Sequence, residues 1–236
     1  MHHAVVTHAD WIAARMRLLE KERAFTRLRD ELARERRELP WERVTKTYRF
    51  ETPEGAHTLA ELFGERSQLV VYHFMYGPDW SEGCKSCSFW ADGFDRHALH
   101  LAQRDVNLVA ISRAPLATLL DYRKRMGWSF RWVSSLGSDF NADYQVSFTD
   151  KSSERGPVYY NYAKREFGGT EAPGVSVFIR DDAGAVFHTY STYARGLDML
   201  NAAYQILDLV PKGRDEDALP YSMAWVRHRD KYPPAR

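Results

Sequence analysis

Residues 68–94 read Gln68-Leu69-Val70-Val71-Tyr72-His73-Phe74-Met75-Tyr76, then GPDWSEG, then Cys84-Lys85-Ser86-Cys87, then SFWADGF. Gln68–Met75 is apolar on both faces, which predicts a central strand covered by helices. After the loop, Phe89, Phe94, Leu99 and Leu101 recur at roughly helical spacing, and Gly93 is expected to bend that helix. A buried strand, a loop and a helix opening on a cysteine pair set the frame for the rest of the chain.

Downstream, DVNLVAIS (105–112) predicts a second buried strand, and Pro115 opens a helix through Met126. RWVSSL (131–136) is a short third strand, and SDFNADYQV (138–146) a helix capped by Ser138 or Asp139. VSVFIR (175–180) and AVFHTYS (185–191) form a hairpin around Asp181-Asp182-Ala183-Gly184. Leu197, Leu200, Tyr204, Leu207 and Val210 then mark one amphipathic helix over 195–210. Residues 151–156 read as a polar loop, and the Tyr-rich stretch 157–170 carries no clear period. Upstream lie a strand over Val44–Phe50, a turn at Thr52-Pro53-Glu54-Gly55 and a short helical stretch Leu59–Phe63 ended by Gly64. Strands alternating with helices mean an α/β fold, a mostly parallel sheet flanked by helices with antiparallel strands added by the terminal hairpin.

Before this body, Asp10–Leu39 reads as one long helix, with Thr7 and Asp10 at its start and Pro40 as its stop. Trp11, Leu18, Phe25, Leu32 and Leu39 fall on a seven-residue repeat with Leu28 alongside, but Ala14, Lys21 and Glu35 hold the other stripe positions. That is a single apolar seam, suited to packing on the body or on a second copy in a homodimer. The expected organisation is an N-terminal helical extension (1–40), one α/β domain (41–210) and a charged, Pro-flanked tail (211–236) with a last helix near Ser222–His228.

The chain has 236 residues, of which 44% are hydrophobic and 14% aromatic, enough for a sizeable core and against wholesale disorder. Thirty-three basic against 32 acidic residues leave a net charge of +1, which argues against a nucleic-acid or anionic-membrane binder. The longest apolar run falls far short of the roughly 18 residues of a membrane span. MHHAVVTHADW lacks the basic-then-apolar pattern of an export signal, so a cytoplasmic location is expected. Two cysteines three apart exclude a disulfide-stapled secreted scaffold.

The cysteine pair carries the chemistry. A sulfur at a helix N-terminus meets unsatisfied backbone N–H groups and the positive end of the helix dipole, which favour its thiolate, and Lys85 adds a charge. A second thiol one turn on is placed to attack a mixed disulfide formed at the first. Cys84 is therefore expected as the nucleophile and Cys87 as the resolving thiol. Such chemistry needs no bound cofactor or metal, but it needs an external reductant and a thiol or disulfide partner, protein or small molecule. Competing readings are two inert buried thiols, or half a zinc site completed by His97 or His100, whose distance from Cys87 is shorter than the usual finger spacing. His73 and His188 are either bases near the thiols or core histidines. Asp79, Trp80 and Glu82 are placed to shape the pocket, Glu82 with a repulsion that raises a thiol pKa. Phe89 and Trp90 read as core aromatics. Arg113 stands where strand C-terminal edges receive ligands, or at the surface.

VVYHFMYGPDWSEGCKSCSFWADGF, with SRAP (112–115), WVSSLGSDFN (132–141) and HTYSTYARGLDMLNAAYQILDL (188–209), resembles a bacterial family of uncharacterised thioredoxin-like proteins, a domain of unknown function. The resemblance covers nearly the whole chain and implies a thioredoxin-like fold. More broadly the layout is similar to peroxiredoxins and thiol-disulfide reductases, with TPEGAHTLAELFG (52–64) before the central strand and RWVSSLGSDFNADYQV (131–146) before the hairpin. Peroxiredoxins carry P-x-x-x-T/S-x-x-C. Here Pro78 lies six residues before Cys84 and Ser81 is the one hydroxyl between them. Thioredoxins carry W-C-G-P-C and a cis-proline before the penultimate strand, whereas Gly83 stands for the Trp, Lys85-Ser86 for Gly-Pro, and Pro173 is the candidate proline. The expected function is a thiol-disulfide oxidoreductase. The alternatives are a peroxiredoxin-like peroxidase, or a non-catalytic binding module that uses the N-terminal helix.

Overall fold

The computed structural model describes residues 3–148 and 156–234. The polar loop expected over 151–156 falls, but for Gly156, outside the described residues. Contacts divide the chain into Met1–Pro40 and Trp41–Arg236.

The first unit is helix α1 (His8–Glu38), capped by Thr7, whose hydroxyl accepts from the Asp10 N–H at 3.2 Å. None of its residues is buried, and Trp11, Leu18, Phe25, Leu28 and Leu32 are all exposed.

The second unit holds β1 (Glu42–Arg43), β2 (Arg49–Thr52), β3 (Gly55–Thr58), β4 (Gln68–His73), α2 (Lys85–Ala102), β5 (Val106–Ser112), α3 (Leu116–Met126), β6 (Arg131–Ser134) and α4 (Phe140–Asp143). It continues with β7 (Val158–Tyr160), β8 (Ala163–Arg165), β9 (Gly174–Arg180), β10 (Val186–Tyr193) and α5 (Ala202–Leu207). Eight strands form one mixed sheet in the order β1-β10-β9-β4-β5-β6-β2-β3. β4, β5 and β6 run parallel, while β9 runs antiparallel to β4 and pairs with β10 in the expected hairpin. This mixed, helix-flanked sheet is the thioredoxin-like layout that the resemblance implies.

Alternation along the strands separates two cores. Tyr72, Leu108, Ala110 and Trp132 face α2 and α3, while Leu69, Val71, Val109, Ile111 and Val133 face the opposite side. That second side is closed by short pieces, Leu59, Leu62, Phe63 and Phe140, rather than by long helices. Helix α3 ends at Gly127, whose left-handed φ of 63° lets its N–H return to the Arg123 and Lys124 carbonyls.

Several expected elements differ. Of the strand expected over Val44–Phe50 only Arg49 and Phe50 pair, as the start of β2; β1 lies just before it at Glu42–Arg43, and β3 completes a hairpin with β2 across the Pro53 turn. The helix over 138–146 shortens to α4, beyond which Gln145 adopts a left-handed φ of 59°. The single helix over 195–210 breaks into a 3-10 segment, Ala194–Leu200, and α5. Extended Asn201 caps α5 by accepting from the Tyr204 N–H at 3.1 Å, and the cap wins over the helical period. The unassigned Tyr-rich stretch contains the β7–β8 hairpin, turned by Asn161 and Tyr162 at φ 52° and 60°. The helix over Ser222–His228 is absent, and a 3-10 turn forms instead at Arg229–Lys231. Read from sequence as a tail, the C-terminal segment packs back onto the body: Val226 and His228 are buried, and Met223 and Trp225 lie against the core that includes α2 and α3.

Candidate active site

The apolar strand β4 delivers the chain to the site. Beyond His73, the Phe74 N–H donates to the Ile111 carbonyl at 3.0 Å, and the loop returns so that the Cys84 N–H donates to the Met75 carbonyl at 3.1 Å. This return needs a glycine at position 83. A Cβ there would stand 2.9 Å from Phe74 Cε1 and 3.2 Å from Tyr122 Cε1. The Gly83 carbonyl accepts from His228 Nε2 at 2.8 Å, which pins the loop to the C-terminal segment.

Cys84 is the N-cap of α2. Its φ of −57° and ψ of 124° lie outside the helix, and its Sγ accepts from the Cys87 N–H at 3.4 Å. The thiol is drawn down to about 7. A hydrogen bond from the Cys87 side chain contributes most, burial opposes it, and the N–H groups of Cys87 and Ser86 follow, with the Lys85 charge after them. Cys84 is half-buried and Cys87 is buried, and both are free thiols. Burial, together with the adjacent Cys84, pushes the Cys87 thiol up, so in the reduced pair the anion belongs to Cys84 and the proton to Cys87. Tyr72 donates from its hydroxyl to the Cys87 carbonyl at 3.2 Å and also favours charge on the Cys87 sulfur.

Both sulfurs line a cavity of about 390 Å³, walled mainly by Tyr72, Met75, Trp90, Pro173, Leu197 and Met223. The Trp90 indole N–H donates to the Leu197 carbonyl at 2.8 Å, which ties the 3-10 segment to α2. The Pro173 carbonyl accepts from the Tyr160 hydroxyl at 2.7 Å, and that same hydroxyl accepts from the Ala194 N–H at 3.0 Å. All peptide bonds among the described residues are trans, that of Pro173 included. The C-terminal segment forms the outer wall. Glu216 Oε1 accepts from Tyr204 Oη at 2.7 Å, the Met223 N–H at 3.1 Å and Trp225 Nε1 at 2.6 Å.

The other residues singled out from sequence divide sharply. Lys85 turns to the C-terminal segment, donating to the Ala224 carbonyl at 3.1 Å with its ammonium over the Tyr221 ring. Glu82 is taken up by Arg125, Lys231 and His228 instead of facing the thiols as a repulsive charge. Asp79 is exposed and Trp80 half-buried. Phe89 and Trp90 are core aromatics as expected, packed edge-on at 5.7 Å. Arg113 pairs with buried Glu171 at 3.0 Å. His97 and His100 are exposed on α2, and among the described residues no three His, Cys, Asp or Glu side chains gather at metal-binding range. His73 and His188 do not line the thiol cavity. His73 is fully buried, its Nε2 2.8 Å from Ser176 Oγ, and burial pushes it down to about 3. Ser176 reaches Ser191 at 2.8 Å, and His188 Nε2 lies 2.7 Å from the same Ser191 hydroxyl.

Tyr72, Leu197 and Met223 were not singled out as site residues. In sequence Tyr72 is one more aromatic in an apolar run. Leu197 and Met223 reach the thiols only because the chain returns from far away. The Asn-Tyr pair at 161–162, a turn signal, is the cue that would have found the hairpin carrying Tyr160.

Solved structures that resemble the chain include peroxidoxin BcpB from Mycobacterium tuberculosis, with 13% identity over 71% of this chain and 97% of that one and a TM-score of 0.45. Peroxiredoxin Q from Xanthomonas campestris shows 13% identity over 72% and 97%, with a TM-score of 0.46. A putative thiol-disulfide oxidoreductase from Bacteroides vulgatus shows 12% identity over 67% and 92%, with a TM-score of 0.38. No curated protein matches the sequence. Residues 1–232, from the long helix through the C-terminal segment, match one family throughout, and the chain belongs to it: the bacterial proteins of unknown function designated DUF899.

Proposed function

We propose that this protein is a thiol-disulfide oxidoreductase in which Cys84 is the nucleophile and Cys87 the resolving thiol. The Cys84 thiolate attacks one sulfur of a substrate disulfide, forms a mixed disulfide and releases the other half as a thiolate that takes up a proton. Cys87 then loses its proton and attacks Cys84 Sγ. That step closes the Cys84–Cys87 disulfide and releases the second half of the substrate. Two electrons pass from the protein dithiol to the substrate, and an external dithiol restores the reduced pair. Tyr72 favours the Cys87 anion in the second step. The observation that carries the reading is the division of labour within one helical turn: a half-buried sulfur whose anion is stabilised, beside a buried sulfur that keeps its proton.

The test equilibrates the chain in dithiothreitol redox buffers and counts thiols by mass. A reversible loss of two hydrogens is expected, confined to Cys84 and Cys87. In Cys87→Ala the mixed disulfide at Cys84 should accumulate. The alkylation rate of Cys84 should rise with pH around a midpoint near 7 in the wild type. In Cys87→Ala, which removes the largest contribution to the lowered value, that midpoint should move up toward the ordinary cysteine range near 8.5. If no reversible disulfide forms at any poise, the proposal is wrong.

A further inference from the structure

We infer that the disulfide this site exchanges with is a small molecule with an uncharged, apolar body, and that the C-terminal segment is the element that sets this choice. The inference rests on the thiol-exchange reading and names its substrate class. A cavity of about 390 Å³ lies in the range of small-molecule sites, and six side chains, Tyr72, Met75, Trp90, Pro173, Leu197 and Met223, give it an apolar wall. At the mouth, Arg195 and Asp198 pair with each other at 3.0 Å, and Asp198 also meets Arg214 at 2.9 Å, so the rim holds its charges in internal pairs.

A protein disulfide is disfavoured for two reasons. An extended peptide commonly docks by pairing its backbone with exposed main-chain groups. Here the Pro173 carbonyl and the Ala194 N–H, both beside the cavity, are already satisfied by the Tyr160 hydroxyl. The second reason is the C-terminal wall. Residues on both sides of Cys84 are tied to it, Gly83 through His228 and Lys85 through Ala224, while Trp225 packs edge-on against Phe89 at 5.5 Å. Glu216 Oε1 accepts from the Met223 N–H and also from Tyr204 and Trp225, which ties the Met223 backbone to α5. On this inference a folded protein surface has to displace the wall to reach the sulfur, whereas a small disulfide enters the space already present.

Reduction of diphenyl disulfide, cystine and insulin by the reduced full-length chain tests this. Each rate constant is divided by that of dithiothreitol with the same disulfide, which removes differences in leaving group. The normalised constant for diphenyl disulfide should exceed those for cystine and insulin at least tenfold, and Met223→Ser should lower that preference severalfold. A ratio near one, or insulin as the fastest substrate, overturns the inference while leaving the exchange chemistry intact. No exchange with any of the three overturns the underlying reading as well. Cavity occupancy is measured separately by calorimetry on Cys84→Ser with benzyl phenyl sulfide, which cannot exchange. Binding of this probe, with no binding of a zwitterionic thioether such as cystathionine, supports the inference, and equal or absent binding of the two overturns it.

Discussion

The two faces of the central sheet begin from neighbouring residues and end in opposite roles. Tyr72 and His73 are adjacent on β4, and alternation sends them to opposite sides. On the Tyr72 side, α2, the 3-10 segment Ala194–Leu200 and the C-terminal segment leave a cavity with a reachable thiol. Donors and acceptors around it are spent on shaping its walls. On the His73 side, short pieces that include Phe140 close the core against Val71 and Ile111, and a fully buried imidazole has no hydrogen-bond partner at Nδ1 among the described residues. Both faces bury polar groups, but only the first couples them to a space that a ligand can enter. The lesson is that an ionisable side chain on a buried strand becomes chemistry only where a neighbouring element stops short of covering it.

Removing the C-terminal segment should break this asymmetry with the largest effect. Truncation after Pro220 strips off Val226, which is fully buried, together with Met223, Trp225 and His228. Burial of two or three side chains of this kind stabilises a fold by roughly 4 kcal/mol, whereas the surface ion pairs of Glu82, Arg125 and Lys231 add little. The urea midpoint should fall accordingly, and alkylation of Cys84 should accelerate. A truncated chain with an unchanged midpoint and an unchanged alkylation rate would mean the segment is a passive tail after all.

What sequence revealed follows the same division. The apolar run of β4 and β5 and the spacing of Cys84 and Cys87 are local signals, so the buried strands and the helix start are legible in the sequence itself. The walls of the cavity were not. Met223 and Leu197 lie more than a hundred residues from Cys84, and nothing in their local pattern marks them. Asn201 shows the opposite failure: the helical period was real, but a side-chain cap interrupted it. The repeat along α1 is the clearest period in the chain, yet the helix buries none of its own residues. Periodicity identifies an element, and it does not say what that element covers.

The His73 face offers the next largest effect, in stability rather than in thiol chemistry. Burial holds the folded-state value near 3, against an ordinary histidine near 6.5. Between these values the unfolded chain binds a proton that the folded chain refuses, so this residue costs stability as pH falls from 6.5 toward 3. At pH 5 the cost is about 2 kcal/mol, and it is insensitive to the folded value so long as that stays well below 5. On going from pH 7.5 to pH 5 the wild type should therefore lose about 2 kcal/mol more stability in urea melts than His73→Leu does, with Cys84 alkylation unaffected. Parallel losses in the two proteins would show that His73 takes up its proton in the fold as readily as in the unfolded chain, and that burial does not set the two faces apart.

Lys85 sets the finest test, because it asks what stabilises the Cys84 anion. Position alone suggests the ammonium: it is the next residue and carries a full charge. Its Nζ, however, is donated to the Ala224 carbonyl and lies over the Tyr221 ring, and its pull on the thiol ranks behind hydrogen bonds from Cys87 and Ser86. Charges near a protein surface are screened by water and salt, whereas the N–H groups of a helix start are fixed in direction and within bonding range of the sulfur. Lys85→Met keeps the stem and removes the charge. The midpoint of Cys84 alkylation should then rise by only a few tenths of a pH unit above 7, with a shift that shrinks further in 0.5 M salt. A rise toward 8.5, the value of a cysteine with no stabilising surroundings, would assign the thiolate to the lysine and remove the helix start from the mechanism. Because the substitution also releases Ala224, the thermal midpoint is read on the same samples. A shift in the titration without a shift in melting isolates the charge from the anchoring of the C-terminal wall.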